Sequence, residues 1–186
     1  MVSTRAPKPT REELAAATAR TVPDVIAPGL RVLFCGINPG LYTAAIGHHF
    51  GRPGNRFWPV LHDAGFTPRL FAPWDERDLL PLGYGITNVV ARTTATAAEL
   101  LNDEIVAGGR ILAAKVAQFT PRVLAVLGVG AYRTAFGVRG AAVGPQDVML
   151  GTTNVWVLPN PSGLNANYQR SALTALFSGL RAAVHA

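Results

Sequence analysis

The sequence predicts an α/β layer fold, a single domain built on four buried, mainly parallel strands. Two observations predict it. Four short runs, Val32–Gly36, Gly85–Val90, Arg122–Leu127 and Asn154–Leu158, are rich in Val, Leu and Ile and lack strict alternation. That is the pattern of strands covered on both faces. Helical patterns lie between them, and strands alternating with helices imply a layered sheet with right-handed crossovers. A length of 186 residues with 49% hydrophobic side chains suits one core and one domain.

The opening stretch, "MVSTRAPKPTREELAAATARTVPD", mixes Pro, Arg, Lys and Thr. It reads as a flexible basic arm over residues 1–25, with a short helix around Glu12–Arg20, ahead of a domain spanning 26–186. "NRFWPVLHDAG" places Phe57, Leu61 and Ala64 on one helical face. "TAAELLNDEIVAGGRILAAKVAQF" is helical, with Gly108-Gly109 weakening its middle. "GAYRTAFG" makes a short helix after the third strand, and "YQRSALTALFSGLRAAV" closes the chain as an amphipathic one. "AAVGPQDVMLGTTN" is compatible with a loop or a small added strand.

Composition narrows the function classes. The arm lacks the apolar core of a secretory signal, and no uncharged apolar run is long enough to span a bilayer, so a soluble intracellular protein without membrane contact is expected. Cys35 is the only cysteine, which excludes an internal disulfide, a Cys-ligated zinc site and a four-cysteine iron–sulfur cluster. The histidines His48, His49, His62 and His185 show no metal-ligand spacing, so neither a metal nor a cofactor is expected. The net charge of +6 and a pI near 10.2 come almost wholly from arginine, which suits bidentate contacts to phosphate.

In open α/β sheets, ligands sit at the C-terminal ends of the strands. Cys35–Leu41, Asn88–Thr94, Gly128–Tyr132 and Asn160–Asn165 all fall there. The loops after strands one and four carry no acidic residue, against the paired carboxylates of ordinary glycosidases. There is no GxSxG nucleophile and no GxxxxGK[ST] phosphate loop. "GVGAYR" has half of a dinucleotide fingerprint, with Arg133 in place of the third glycine. Asn38, in "CGINPGL", is neutral and a poor base, but its carbonyl can aim a water. It suits hydrolysis of a nucleoside bond, where the base departs as an anion and leaves an oxocarbenium-like sugar. An Asx turn before Pro39 would explain Asn38 equally well. Phe50 offers a face on which a planar base can stack, or a core contact. "LPNPSGL" offers an apolar wedge at Leu164, or a plain turn. A pocket aromatic, a water-holding amide and a wedge on one edge of a basic protein are together what a base-flipping enzyme requires.

"GINPGL", "GHHFGRPGNRFW" and "WVLPNPSGL" resemble the mismatch-specific uracil/thymine-DNA glycosylases of the uracil-DNA glycosylase superfamily, over nearly all the chain from Ala27. The resemblance implies a three-layer α/β/α fold with a central four-stranded sheet. It implies removal of uracil, thymine or modified bases opposite guanine in double-stranded DNA, without metal or cofactor. It assigns Asn38 to water positioning and Ile37, Gly40, Thr43, Phe50 and Asn88 to the base pocket. It likewise assigns Asn160, Pro161, Ser162, Gly163 and Leu164 to the wedge and the backbone-contacting loop. A monomer in the bacterial cytoplasm, associated with the nucleoid, is expected. The chain departs from bacterial relatives at Asn88 (Lys there), Ala91 (acidic), Thr93 (Pro) and Ala166 (often Arg). Those departures keep open a mismatch- or abasic-DNA-binding module with little turnover. A nucleotide-binding enzyme using "GVGAYR" is a further alternative.

Overall fold

A computed structural model describes residues 8–185. In chain order it contains α1 (Arg11–Ala16), β1 (Val32–Gly36), α2 (Leu41–Ile46), α3 (Phe57–Asp63), β2 (Tyr84–Asn88), α4 (Asn102–Phe119), β3 (Val123–Leu127), α5 (Val129–Phe136), β4 (Gly144–Leu150), β5 (Thr153–Leu158) and α6 (Arg170–His185). The strands form one sheet in the order β2-β1-β3-β5-β4. Four of them are parallel and coincide, within a residue or two, with the four apolar runs. The expected four-stranded sheet gains a fifth strand, because "GPQDVML" pairs antiparallel with β5 at the sheet edge. Its alternating, mostly exposed side chains give it none of the apolar signal that marks the other four.

Successive residues of β1 point to opposite faces, and the two faces have separate cores. Val32 and Phe34 pack with α3 and α6 through Phe57, Leu61, Leu173, Phe177 and Leu180. Leu33 and Cys35 pack with α4 and α5 through Leu112, Val116 and Tyr132. The result is the three-layer α/β/α arrangement. Phe34 anchors the first core, edge-on to Phe57 at 5.5 Å and stacked on Phe177 at 6.0 Å. Gly108 and Gly109 have a packing reason that the sequence concealed. Both are buried where α4 lies directly against the carbonyls of Val89 and Ala135, leaving no room for a Cβ.

The expected basic arm is docked along most of its described length, while its residues 1–7 lie outside the described residues. Ala17 and Val22 pack with Ala44 of α2, and Val25 bridges Ile86 of β2. Arg20 donates to the Ala45 carbonyl at 3.3 Å. Short apolar contacts to distant partners have no periodicity, which is why this segment reads as a tail.

Candidate functional site

The loop after β1 is fastened to the loop after β2 beyond the end of the sheet. Val89 N–H donates to Gly36 O and Val90 N–H to Ile37 O, both at 2.9 Å, and Thr94 N–H donates to Pro39 O at 3.1 Å. Gly40 bridges Thr94 and precedes α2. Asn38 is thereby set at the mouth of a cleft of about 200 Å³. Ile37, Gly40, Thr43, Phe50, Asn88, Asn160, Ser162 and Leu164 line the same cleft, so the residues singled out in the sequence are largely brought together.

The Asn38 amide is oriented by its partners. Nδ2 donates to the Arg92 carbonyl at 2.9 Å and to Thr94 Oγ1 at 2.7 Å, with a longer contact to Pro39 O at 3.3 Å. A backbone carbonyl can only accept, so the nitrogen must face Arg92. Oδ1 receives no hydrogen bond from any described residue and remains an acceptor at the cleft. No Asx turn uses that oxygen. Neither Thr94 nor Arg92 stood out in the sequence, since they lie 56 and 54 positions from Asn38.

Phe50 adopts φ 53°, a left-handed backbone that is strained for an aromatic residue. Its ring stacks on Phe57 at 4.0 Å and 24°, and the half-buried remainder lines the cleft. Thr43 Oγ1 accepts from Gly51 N–H at 3.2 Å and holds this loop to α2. Beneath it, Gly36 lies close under Phe50 and Asn88. A Cβ there would meet Asn88 Oδ1 at 2.5 Å and Phe50 Cζ at 3.4 Å.

His49 is 1% exposed and was not assigned to the site from sequence. Its Nε2 lies 2.9 Å from the Pro23 carbonyl, and Asn88 Nδ2 lies 3.4 Å from its Nδ1. Burial lowers its pKa, opposed by the Pro23 bond and by the negative charges of Glu76 and Asp24. Glu76 is itself buried and accepts from His49 N–H at 2.8 Å and pairs with His48 Nδ1 at 2.9 Å. The two histidines are thus committed to structural contacts, and among the described residues no cluster of His, Cys, Asp or Glu could hold a metal ion. Cys35 is fully buried, which raises its pKa well above the ordinary thiol value, so it is no nucleophile.

The loop after β5 forms the other wall. Asn160 Oδ1 accepts from Ser162 N–H at 3.0 Å, and Ser162 Oγ accepts from Leu164 N–H at 3.2 Å. Arg56 clamps the loop from below. Its backbone N–H reaches Pro161 O at 2.9 Å, and its guanidinium reaches the carbonyls of Asn165, Tyr168 and Gly163 at 2.9, 2.7 and 3.3 Å. The clamp belongs to the quoted "GRPGNRFW", but the sequence did not reveal its target. Leu164 stands at the tip, 73% exposed, so most of its side chain is not packed against the protein. Pro161 is buried behind the cleft, and Gly163 faces a neighbouring groove with Arg52 and Pro53. Arg52 is exposed on the rim and has no acidic partner among the described residues, whereas Arg92 is paired with Glu104 at 2.7 Å.

The departing positions fall apart in space. Thr93 is buried and donates to the Arg20 carbonyl at 2.7 Å, while Ala91 and Ala166 are exposed and do not line the cleft. In "GVGAYR", Gly128 backs Ile37, and the Arg133 guanidinium is spent on the Ala141 carbonyl at 2.6 and 2.9 Å.

Comparison with solved structures finds a solution NMR structure from Methanosarcina acetivorans, described as a "putative Uracil DNA glycosylase". It aligns with a TM-score of 0.57 at 20% identity, over 87% of this chain and 98% of that one, which supports the fold. The family model described as "Uracil DNA glycosylase superfamily" matches residues 23–181, from the segment behind His49 to the last turns of α6. With that match over most of its length, the chain belongs to the uracil DNA glycosylase superfamily.

Proposed function

We propose that the protein is a monofunctional DNA glycosylase that acts on uracil, and on thymine or modified bases, mismatched with guanine in duplex DNA. The observation that carries this reading is the Asn38 amide. Its nitrogen is saturated by Arg92 and Thr94, and its oxygen is left as an acceptor in the cleft. A water donating to Oδ1 is aimed without being deprotonated, which suits a bond that breaks largely by itself.

In this reading the target base swings out of the helix and stacks on Phe50, with Asn88 on the pocket floor. The C1′–N bond breaks and its electron pair stays with the base, which leaves as an anion stabilised by loop backbone N–H groups. Water oxygen then bonds to C1′ of the oxocarbenium-like sugar and releases its proton, leaving an abasic site. Leu164 fills the vacated stack, and Arg52 meets a phosphate. The loops after β1 and β5 contain no lysine, so no Schiff base and no strand cleavage are expected.

A panel of duplexes with U, T, hypoxanthine, xanthine or ethenocytosine opposite G and A, incubated with excess enzyme, tests the proposal. Alkali-labile sites should appear with uracil opposite guanine, at a rate set by the chemical step. Tight binding without any alkali-labile product would identify a DNA-binding module instead.

A further inference from the structure

We infer that Arg56 is the positioning residue of the wedge: its guanidinium holds the loop after β5 ready for insertion and mounts it on the segment that carries the pocket aromatic. The inference rests on the glycosylase reading and deepens it, by naming a residue that acts on duplex DNA through Leu164. The loop has little else to hold it. From Ser162 to Tyr168 no residue is buried, and Gly163, Leu164, Ala166 and Asn167 are exposed. Its own hydrogen bonds are local, with Ser162 Oγ accepting from Leu164 N–H and Ser162 O from Asn165 N–H. A segment with so few buried contacts opens at low cost unless something outside it intervenes. Arg56 intervenes. Nη1 donates to Asn165 O and Tyr168 O, and Nη2 to Gly163 O, so the carbonyls on both sides of Leu164 are bound to one planar group. No acidic side chain among the described residues forms an ion pair with it.

The mount is the stretch from Phe50 to Phe57. Phe50 stacks on Phe57 at 4.0 Å, and Asn55 Oδ1 accepts from Phe57 N–H at 2.9 Å, which fixes the turn into α3. Gly54 lies so close under Gly163 that a Cβ on Gly163 would overlap the Gly54 carbonyl. Arg56 N–H adds the bond to Pro161 O at 2.9 Å. Pocket wall and wedge seat are therefore one piece of chain, and the spacing between the ring that receives the base and the leucine that replaces it is set before DNA binds. Setting it in advance removes an ordering cost from insertion. A lysine at this position would keep the charge but lose the planar fork that spans three carbonyls.

A double-mutant cycle on the full chain tests this, read as single-turnover excision of uracil from matched duplex and single-stranded oligonucleotides. Arg56→Met should lower the ratio of duplex to single-strand rate about tenfold, and Arg56→Lys should recover part of that loss. In a Leu164→Ala background Arg56→Met should cost less than about a further threefold on duplex, because two residues acting through one contact are not additive. Equal losses on the two substrates, or full additivity with Leu164→Ala, would overturn the inference. The slope of log affinity against log salt should be the same in wild type and Arg56→Met; a slope flatter by about one would make Arg56 a phosphate contact instead. If Arg56→Met does not fold, Arg56→Lys carries the same cycle. Amide hydrogen exchange without DNA gives a readout independent of excision. Leu164 and Asn165 N–H should exchange at least about tenfold faster in the variant, and unchanged protection there would refute the clamp. Failure of wild type to excise from either substrate would count against the glycosylase reading, and the exchange rates would still decide the clamp.

Discussion

Leu164→Ala separates a wedge from a packing residue. Leu164 is 73% exposed, so only about a quarter of its surface is buried in the free protein. Full burial of a leucine is worth about 1.5–3 kcal/mol, which leaves at most about 0.4–0.8 kcal/mol to lose on folding. For a protein of this size that lowers Tm by no more than about 3 °C. The other three quarters are buried only if the side chain enters the DNA stack. That contributes about 1–2 kcal/mol toward the few kcal/mol that unstacking costs. Excision from duplex DNA should therefore slow about 5- to 30-fold, at 1.4 kcal/mol per factor of ten. A single strand has no hole to fill, and its rate should change by less than about threefold. Single-turnover excision of uracil from matched duplex and single-stranded oligonucleotides, alongside thermal melts, reads both quantities. Equal rate losses on the two substrates, accompanied by a large drop in Tm, would refute the wedge.

The other predictions address the support of the site. Thr94→Val removes one acceptor of Asn38 Nδ2 while the Arg92 carbonyl remains, so the single-turnover rate should fall about tenfold with DNA affinity retained; an unchanged rate would show that Thr94 does not orient the amide. Gly36→Ala drives a methyl group into Asn88 Oδ1 and toward Phe50, and should cut excision more than tenfold by a displaced floor, as judged by rate and by affinity for a uracil analogue. Arg52 lacks an acidic partner at the rim, so Arg52→Ala should flatten the slope of log affinity against log salt by about one. A slope unaffected by the substitution would remove Arg52 from the phosphate contacts.

The parallel strands were legible because burial on both faces leaves continuous apolar runs such as "VLFCG" and "VLAVL". β4 was legible only as one of two options, a loop or a small added strand, because an edge strand with exposed side chains such as Val148 and Met149 has no such run. The short α2 and the 3-10 stretch over Pro73–Leu82, which contains Pro81, also lack periodicity long enough to register. Asn38, Phe50 and Leu164 could be singled out since their residue types are unusual where they stand. Their supports could not. Thr94 and Arg92 reach Asn38, Pro23 reaches His49, and Arg56 reaches the β5 loop through long-range hydrogen bonds that leave no pattern in the chain. The N-terminal segment shows the same limit from the other side. A polar composition suggested a free arm, yet Arg20 and Pro23 accept hydrogen bonds from Thr93 and His49, so truncation past residue 20 would disturb the pocket as well as remove charge.

The central claim is that Asn38 Oδ1 aims the attacking water, and its most direct test is Asn38→Ala under single-turnover conditions on a uracil·guanine duplex. The substitution removes the acceptor but leaves Phe50, Asn88, Leu164 and Arg52 in place. The chemical rate should fall about 10²–10³-fold, as for loss of one positioning group in comparable sites, while affinity for the duplex is preserved. A single-turnover rate equal to that of the wild type would contradict the assignment.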